Sequence, residues 1–264
     1  MLKRGLLLFL LFGIAVVACA QAPPTLVSLI SDQSAAKPGS TVWVGIRFQL
    51  PSGWHTYWAN PGDSGEPPKV QWVLPSGWTA GPIEWPAPSR MESPAGVDYG
   101  YHDAVTLLTR IKVPTSAKPG NMQLTANLSW LVCKDICVPQ KTTATLPLRI
   151  GPAAVPNNDA KQIIADAKAK LPKAVPADWK MNVMRNPAQL LLNFMPGAKV
   201  SEAFFFPLEQ QIIENAAPQK LSATSVRSQL ALKRDSGSTA APALKGVLVL
   251  DGSNAYAVNI PIKK

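Results

Sequence analysis

Apolar and polar residues alternate through much of the chain between Thr25 and Ile150. "TVWVGIRFQL" (41–50) switches at nearly every step, as a strand does when one face meets a core and the other meets water. "AVTLLTRIKV" (104–113) and "NMQLTANLSWLVC" (121–133) repeat the pattern, and "TTATLPLRI" (142–150) closes the set. Turn signals separate these runs: "KPG" at 37–39 and 118–120, "PSG" at 51–53 and 75–77, and "NPGDSG" at 60–65. Short strands with this punctuation predict an antiparallel β-sandwich.

"GPAAVPNN" (151–158) reads as a boundary. "DAKQIIADAKAKLP" (159–172) then puts Ile163, Ile164, Ala167 and Leu171 near one helical face and stops at a proline. Strand-like runs follow: "WKMNVMR", "QLLLNFM", "VSEAFFFP", "SQLALKR", "GVLVLDG" and "YAVNIPI", with "RDSGSTAAPALK" (234–245) as an exposed hairpin loop. The pattern predicts an all-β chain of two sandwich domains, 21–150 and 151–264, with a short helix opening the second.

Residues 1–20 read differently. "MLKRG" supplies a positive start and "LLLFLLFGIAVVA" an apolar run too short for a membrane span, as in a secretory signal. "ACA" (18–20) offers a cleavage site leaving Gln21 first, and "VVAC" (16–19) resembles a lipobox that would leave a lipid on Cys19. Either way two thiols remain, Cys133 and Cys137, in an oxidising compartment. The expected location is the periplasm, with lipidation of Cys19 as the one route to a membrane.

The chain carries 26 Lys and Arg against 16 Asp and Glu; removing Lys3 and Arg4 with the signal leaves 24 against 16. The cations are scattered, with no basic run or helix face, so the charge describes a solvated surface and excludes a nucleic-acid partner.

The chemistry is concentrated in "WLVCKDICVP" (130–139). A disulfide needs Cα atoms about 4.4–6.8 Å apart, whereas four steps of extended strand span roughly 13 Å. If Cys133 and Cys137 pair, "KDI" must fold as a turn. Such a ring restrains the unfolded chain by only about 2 kcal/mol, which is poor for a staple. A redox couple needs an accessible thiolate; Lys134 favours one and Asp135 opposes it. The spacing differs from C-x-x-C, and no βαβ pattern surrounds it, which excludes a thioredoxin fold. A metal clip would need His55, His102, Met91 or Met122 as further ligands, and nothing in the spacing gathers them; no metal or other cofactor is expected. Staple, redox couple and metal clip remain open on the residues alone.

Five of the eight tryptophans lie in "GWHTYWANPGDSGEPPKVQWVLPSGWTAGPIEWPAPSR" (53–90). They suit a sandwich core or an aromatic wall beside a reactive site. "GPIEWPAPSRMESPAG" is too proline-rich for a central strand and suits a covering loop.

Together, "GWHTYWANPGDSG", "WPAPSR", "YGY" and "WLVCKDICVP" resemble the N-terminal periplasmic domain of the DsbD/ScsB type of thiol:disulfide interchange proteins. "AFFFPLEQQIIENAAPQ" and "LKGVLVLDG" are similar to the second β-domain of its ScsB-like branch. The resemblance implies immunoglobulin-like sandwiches and a Cys133/Cys137 pair that shuttles electrons, acting as a protein-disulfide reductase. It implies a cap loop at about Arg90 to Gly96, including Met91, Glu92, Ser93 and Pro94, and bordering aromatics Tyr57 and Trp58, with Trp130 beside the pair. Implied partners are periplasmic thiol/disulfide proteins such as disulfide isomerases or cytochrome c maturation factors. The family's full proteins continue into a membrane domain and a thioredoxin-like domain. This sequence ends at Lys264 with neither, so a separate membrane electron donor is expected. An immunoglobulin-like binding module with a structural disulfide and a copper chaperone are the alternatives.

Overall fold

The computed structural model describes residues 24–93, 96–238 and 241–263. The expected signal segment, Cys19 and Pro94 lie outside the described residues. The strands are β1 (Leu26–Ser31), β2 (Gln33–Ala36), β3 (Thr41–Gln49), β4 (His55–Gly62), β5 (Lys69–Val73), β6 (Thr79–Ala80), β7 (Ser89–Ser93), β8 (Gly96–His102), β9 (Ala104–Lys112), β10 (Gly120–Cys133), β11 (Cys137–Ile150) and β12 (Val155–Pro156). After helix α1 (Asn158–Ala169) come β13 (Lys173–Ala174), β14 (Asn182–Arg185), β15 (Gln189–Phe194), β16 (Ala203–Pro207), β17 (Lys220–Ala223), β18 (Ser228–Lys233), β19 (Ala243–Leu250) and β20 (Asn254–Lys263).

The fold is all-β and immunoglobulin-like. One sheet, β1-β3-β9-β6, faces another, β12-β2-β11-β10-β4-β8-β7, with β5 also paired to β10. The alternation read in the sequence is what fills the space between them. Val42, Val44, Ile46 and Phe48 of β3 meet Leu124, Ala126, Leu128, Trp130 and Val132 of β10, all of them buried. The proline-rich run before Ser89 leads into β7, which sits at the edge of its sheet, as a segment with few ladder donors must.

The remaining strands order as β16-β19-β20-β14-β15-β18-β17 and close around a second core of Leu190, Leu192, Leu230, Leu232, Leu244 and Leu248. The strands that the expected hairpin loop at 234–245 would join do not pair with each other: β18 pairs with β15 and β17, and β19 with β16 and β20. Thr239 and Ala240 lie outside the described residues. Helix α1 forms where its periodicity predicts, but it packs on the first sandwich. Ile164 and Ala167 bury against Leu108, with Ile30 and Trp43 alongside, and Lys168 Nζ lies 4.4 Å from the Trp43 ring centre. A 3.6-residue period fixes which face is apolar and says nothing about which domain covers it.

"AFFFP" and "GVLVL" are continuously apolar rather than alternating, the mark of a sheet buried on both faces. Phe205, Leu248 and Leu250 point into the second core, while Phe206 and Val247 join the core cluster of the first sandwich. The Phe206 ring meets Tyr99 edge-on at 5.2 Å and Trp58 at 6.2 Å between centroids. The two sandwiches therefore share an apolar contact.

Phe206→Ala is expected to cost about 3–4 kcal/mol and to leave a single unfolding transition, read by urea titration with tryptophan fluorescence. A cost under about 1 kcal/mol would mean that this face of β16 is open to water.

Candidate functional site

The antiparallel ladder between β10 and β11 runs from Gly120↔Ile150 to Cys133↔Cys137. Lys134, Asp135 and Ile136 make the turn, closed by the Lys134 N–H donating to the Ile136 carbonyl at 3.1 Å. The cysteines thus face each other across the tip of a hairpin, Cα atoms 4.2 Å apart, joined as a disulfide. This is the turn that a paired "CKDIC" requires.

Register places the neighbours. Cys133 is opposite His55 of β4, His55 is opposite His102 of β8, and Tyr57 is opposite Gly100. Directly opposed residues share a face, so the disulfide, His55, Tyr57, Asp98, Gly100 and His102 lie on the face turned away from the sandwich core. Met91 of β7 is opposite Asp98 and joins them.

Tyr57 is the side chain that touches the sulfurs. Its O–H donates to Cys133 Sγ at 2.9 Å and lies 3.3 Å from Cys137 Sγ. The ring is fully buried. Burial pushes the phenol pKa up, only partly opposed by a Ser64 hydrogen bond, and the nearby Asp98 charge pushes the same way; the O–H stays protonated across the neutral range. The ring is covered by the Gly62–Glu66 segment. Gly65 has φ +76°, and a Cβ there would sit 2.1 Å from Tyr57 Cζ, so only glycine lets the chain lie this close. Ser64 secures the segment, its N–H and Oγ both donating to Asp98 Oδ1 at 3.1 and 2.8 Å.

The two sulfurs have different surroundings. Cys133 is 2% exposed, whereas Cys137 is exposed and flanked by Ile136, which is 53% exposed. A reagent approaching the hairpin tip meets Cys137 first.

His55 is buried, its ring edge-on to Tyr57 at 5.3 Å and to His102 at 5.9 Å. Its Nε2 lies 3.9 Å from Asp98 Oδ2, beyond hydrogen-bond reach. Burial lowers its pKa below the ordinary 6.5; the Asp98 charge pulls the other way, and His102 adds to the lowering. Among the described residues no three His, Cys, Asp or Glu side chains are grouped to hold a metal; Met122 stands at the far end of β10.

Other sequence candidates are spread over the fold. Trp58 and Trp130 are 1% and 5% exposed and belong to the sandwich core. They occupy the opposite face from the disulfide and form no shield over it. Arg90 and Glu92, joined by an ion pair, alternate with Met91 on β7 and are exposed on its other face. Met91 is buried, its Cε 3.0 Å from where a Gly100 Cβ would be, so it packs next to the strand position opposite Tyr57. Ser93 pairs with Gly96 at the hairpin end. The Gly62–Glu66 segment and Asp98 were not anticipated. "NPGDSG" signals a turn, but not that the turn folds back over a tyrosine three residues before it.

His55 binds fewer protons in the folded than in the unfolded protein at mildly acidic pH, so its contribution to stability is full above about 6.5 and declines as pH falls through that value toward the lowered folded pKa. The melting temperature is therefore expected to drop between pH 7 and pH 5 more steeply in the parent than in His55→Gln. Parallel profiles by scanning calorimetry would contradict this.

Residues 27–149 match the family model described as "Thiol:disulfide interchange protein DsbD, N-terminal". No curated relative matches the sequence. Among solved structures, the N-terminal periplasmic domain of ScsB from Proteus mirabilis superposes with a TM-score of 0.66 at 21% identity, covering 90% of this chain and 93% of that one, and so shares the fold of both sandwiches. The major pilin subunit of Bacillus cereus aligns with a TM-score of only 0.31 at 9% identity over 91% of this chain and 67% of its own. No helix among the described residues is long and apolar enough to cross a membrane. With the disulfide on the hairpin that the family model covers, the first sandwich of this chain belongs to the DsbD N-terminal domain family.

Proposed function

We propose that the chain is a periplasmic thiol–disulfide exchange carrier that passes electrons to protein partners through Cys133 and Cys137. The observation that carries this is the asymmetry of the pair: an exposed sulfur at a hairpin tip, and a buried one held by a phenol O–H.

In the reduced protein, the Cys137 thiolate attacks a partner's disulfide. A bond forms between Cys137 Sγ and one partner sulfur, and the other partner sulfur leaves as a thiolate and takes a proton. The Cys133 thiolate then attacks Cys137 Sγ, closing the intramolecular disulfide and releasing the second partner thiol. The partner gains two electrons and two protons, and the pair is oxidised. A separate membrane electron donor resets it through the reverse steps, in which Cys133 is the leaving thiolate. The Tyr57 O–H stabilises that charge where water is excluded. Ile136 supplies an apolar contact beside the reacting sulfur. Met91 and its neighbours on β7, packed near the strand position opposite Tyr57, act as a cap that partners displace. Secretion by the 1–20 signal, with or without a lipid on Cys19, places the domain where such partners occur.

With a disulfide-bonded protein substrate, reduced Cys133→Ser is expected to accumulate a mixed disulfide through Cys137, visible on non-reducing gels, while Cys137→Ser forms little. The reverse pattern would assign attack to Cys133. The pair should equilibrate in graded redox buffers between about −180 and −270 mV; a value below about −300 mV would make the bond structural and the domain a binding module. Tyr57→Phe removes the hydrogen bond and is expected to slow reduction of the disulfide by a small dithiol about tenfold.

A further inference from the structure

The second sandwich reaches toward the disulfide. Asn215, 9% exposed, donates from Nδ2 to Asp63 Oδ1 at 2.7 Å and accepts at Oδ1 from the Tyr99 O–H at 3.1 Å. Asp63 is also held from the first sandwich, where its Oδ2 accepts the Val97 N–H at 2.8 Å. Gly96 permits that approach: a Cβ there would sit 2.4 Å from Asp63 Oδ2. A second tie lies three residues earlier, where buried Asn60 donates to the Pro207 carbonyl at 2.8 Å and accepts the Gly62 N–H at 3.1 Å. The stretch from Asn60 to Asp63 is thus fastened to the second sandwich at both ends.

That stretch leads directly into Ser64 and Gly65, which lie on Asp98 and on the Tyr57 ring. Tyr57 in turn reaches both sulfurs. We propose that Asn215 is a positioning residue for disulfide exchange: by holding Asp63 it holds the segment that keeps the Tyr57 O–H aimed at Cys133. This rests on the exchange reading and gives the second sandwich a part in the site. Phe204, Phe206 and Val247 supply the shared apolar contact, and Asn215 converts that contact into a fixed position for one hydroxyl. Without its amide, Asp63 keeps the Val97 bond and loses its tie across the domains; the segment shifts, and the phenol is freed to turn from the sulfur.

The test is reduction of the oxidised full chain by dithiothreitol at neutral pH, followed by stopped-flow fluorescence. The reagent becomes a cyclic disulfide as the protein gains two thiols. Asn215→Ala is expected to slow this about threefold relative to the parent, at a melting temperature within a few degrees of it. In a Tyr57→Phe background the same substitution should change nothing further, because the hydroxyl through which it acts is gone. If Asn215→Ala does not fold, Asn215→Asp serves, since it sets a carboxylate against Asp63 and should slow the reaction at least as much. An unchanged or faster rate overturns the proposal. So does an equal slowing in the Tyr57→Phe background, which would mark general loosening. A parent disulfide that dithiothreitol leaves intact would instead sink the exchange reading itself.

Discussion

The rest of the site depends on the hydrogen-bonded register between β10 and β11. The ladder holds residue by residue from Gly120↔Ile150 to the cysteines, and it is locked by alternate side chains of β10 entering the core: Leu124, Ala126, Leu128, Trp130 and Val132. A slip of one residue would turn all five outward and Cys133 inward. Because that loss of buried area is prohibitive, the core chooses the face on which the disulfide lies, and with it the neighbours from β4 and β8.

The sequence made much of this legible, for physical reasons that differ by element. Period-two alternation in 41–50, 104–113 and 121–133 directly reflects one dry and one wet face, so these strands could be read. The turn at 134–136 followed from the reach of a disulfide. The same alternation puts Trp130 in step with Leu128 and Val132 and therefore in the core, yet its closeness to Cys133 in sequence suggested a shield. Adjacent residues in a strand point to opposite faces. The helix was legible and its partner was not, and the segment over Tyr57 was invisible because it is held by Asp98 and Asn215, distant contacts that leave no local pattern.

The doubly apolar runs "AFFFP" and "GVLVL" explain why the two sandwiches form a fixed pair. A sheet with Phe205 and Leu248 on one face and Phe206 and Val247 on the other must be covered twice, and the first sandwich is the second cover. The hydrogen bonds from Asn60, to the Pro207 carbonyl next to Phe206, and from Asn215, which also holds Tyr99, lie beside this apolar contact on buried side chains.

The disulfide closes a loop of very few residues at the end of a long ladder. Its cleavage returns little conformational freedom to the chain, and the strands that carry it remain pinned by their own backbone bonds and core side chains. Oxidised and reduced forms can therefore keep nearly the same shape. In the proposed exchange, breaking and remaking this bond then asks for little reorganisation of the sandwich beneath it, so the core stays covered as the pair cycles.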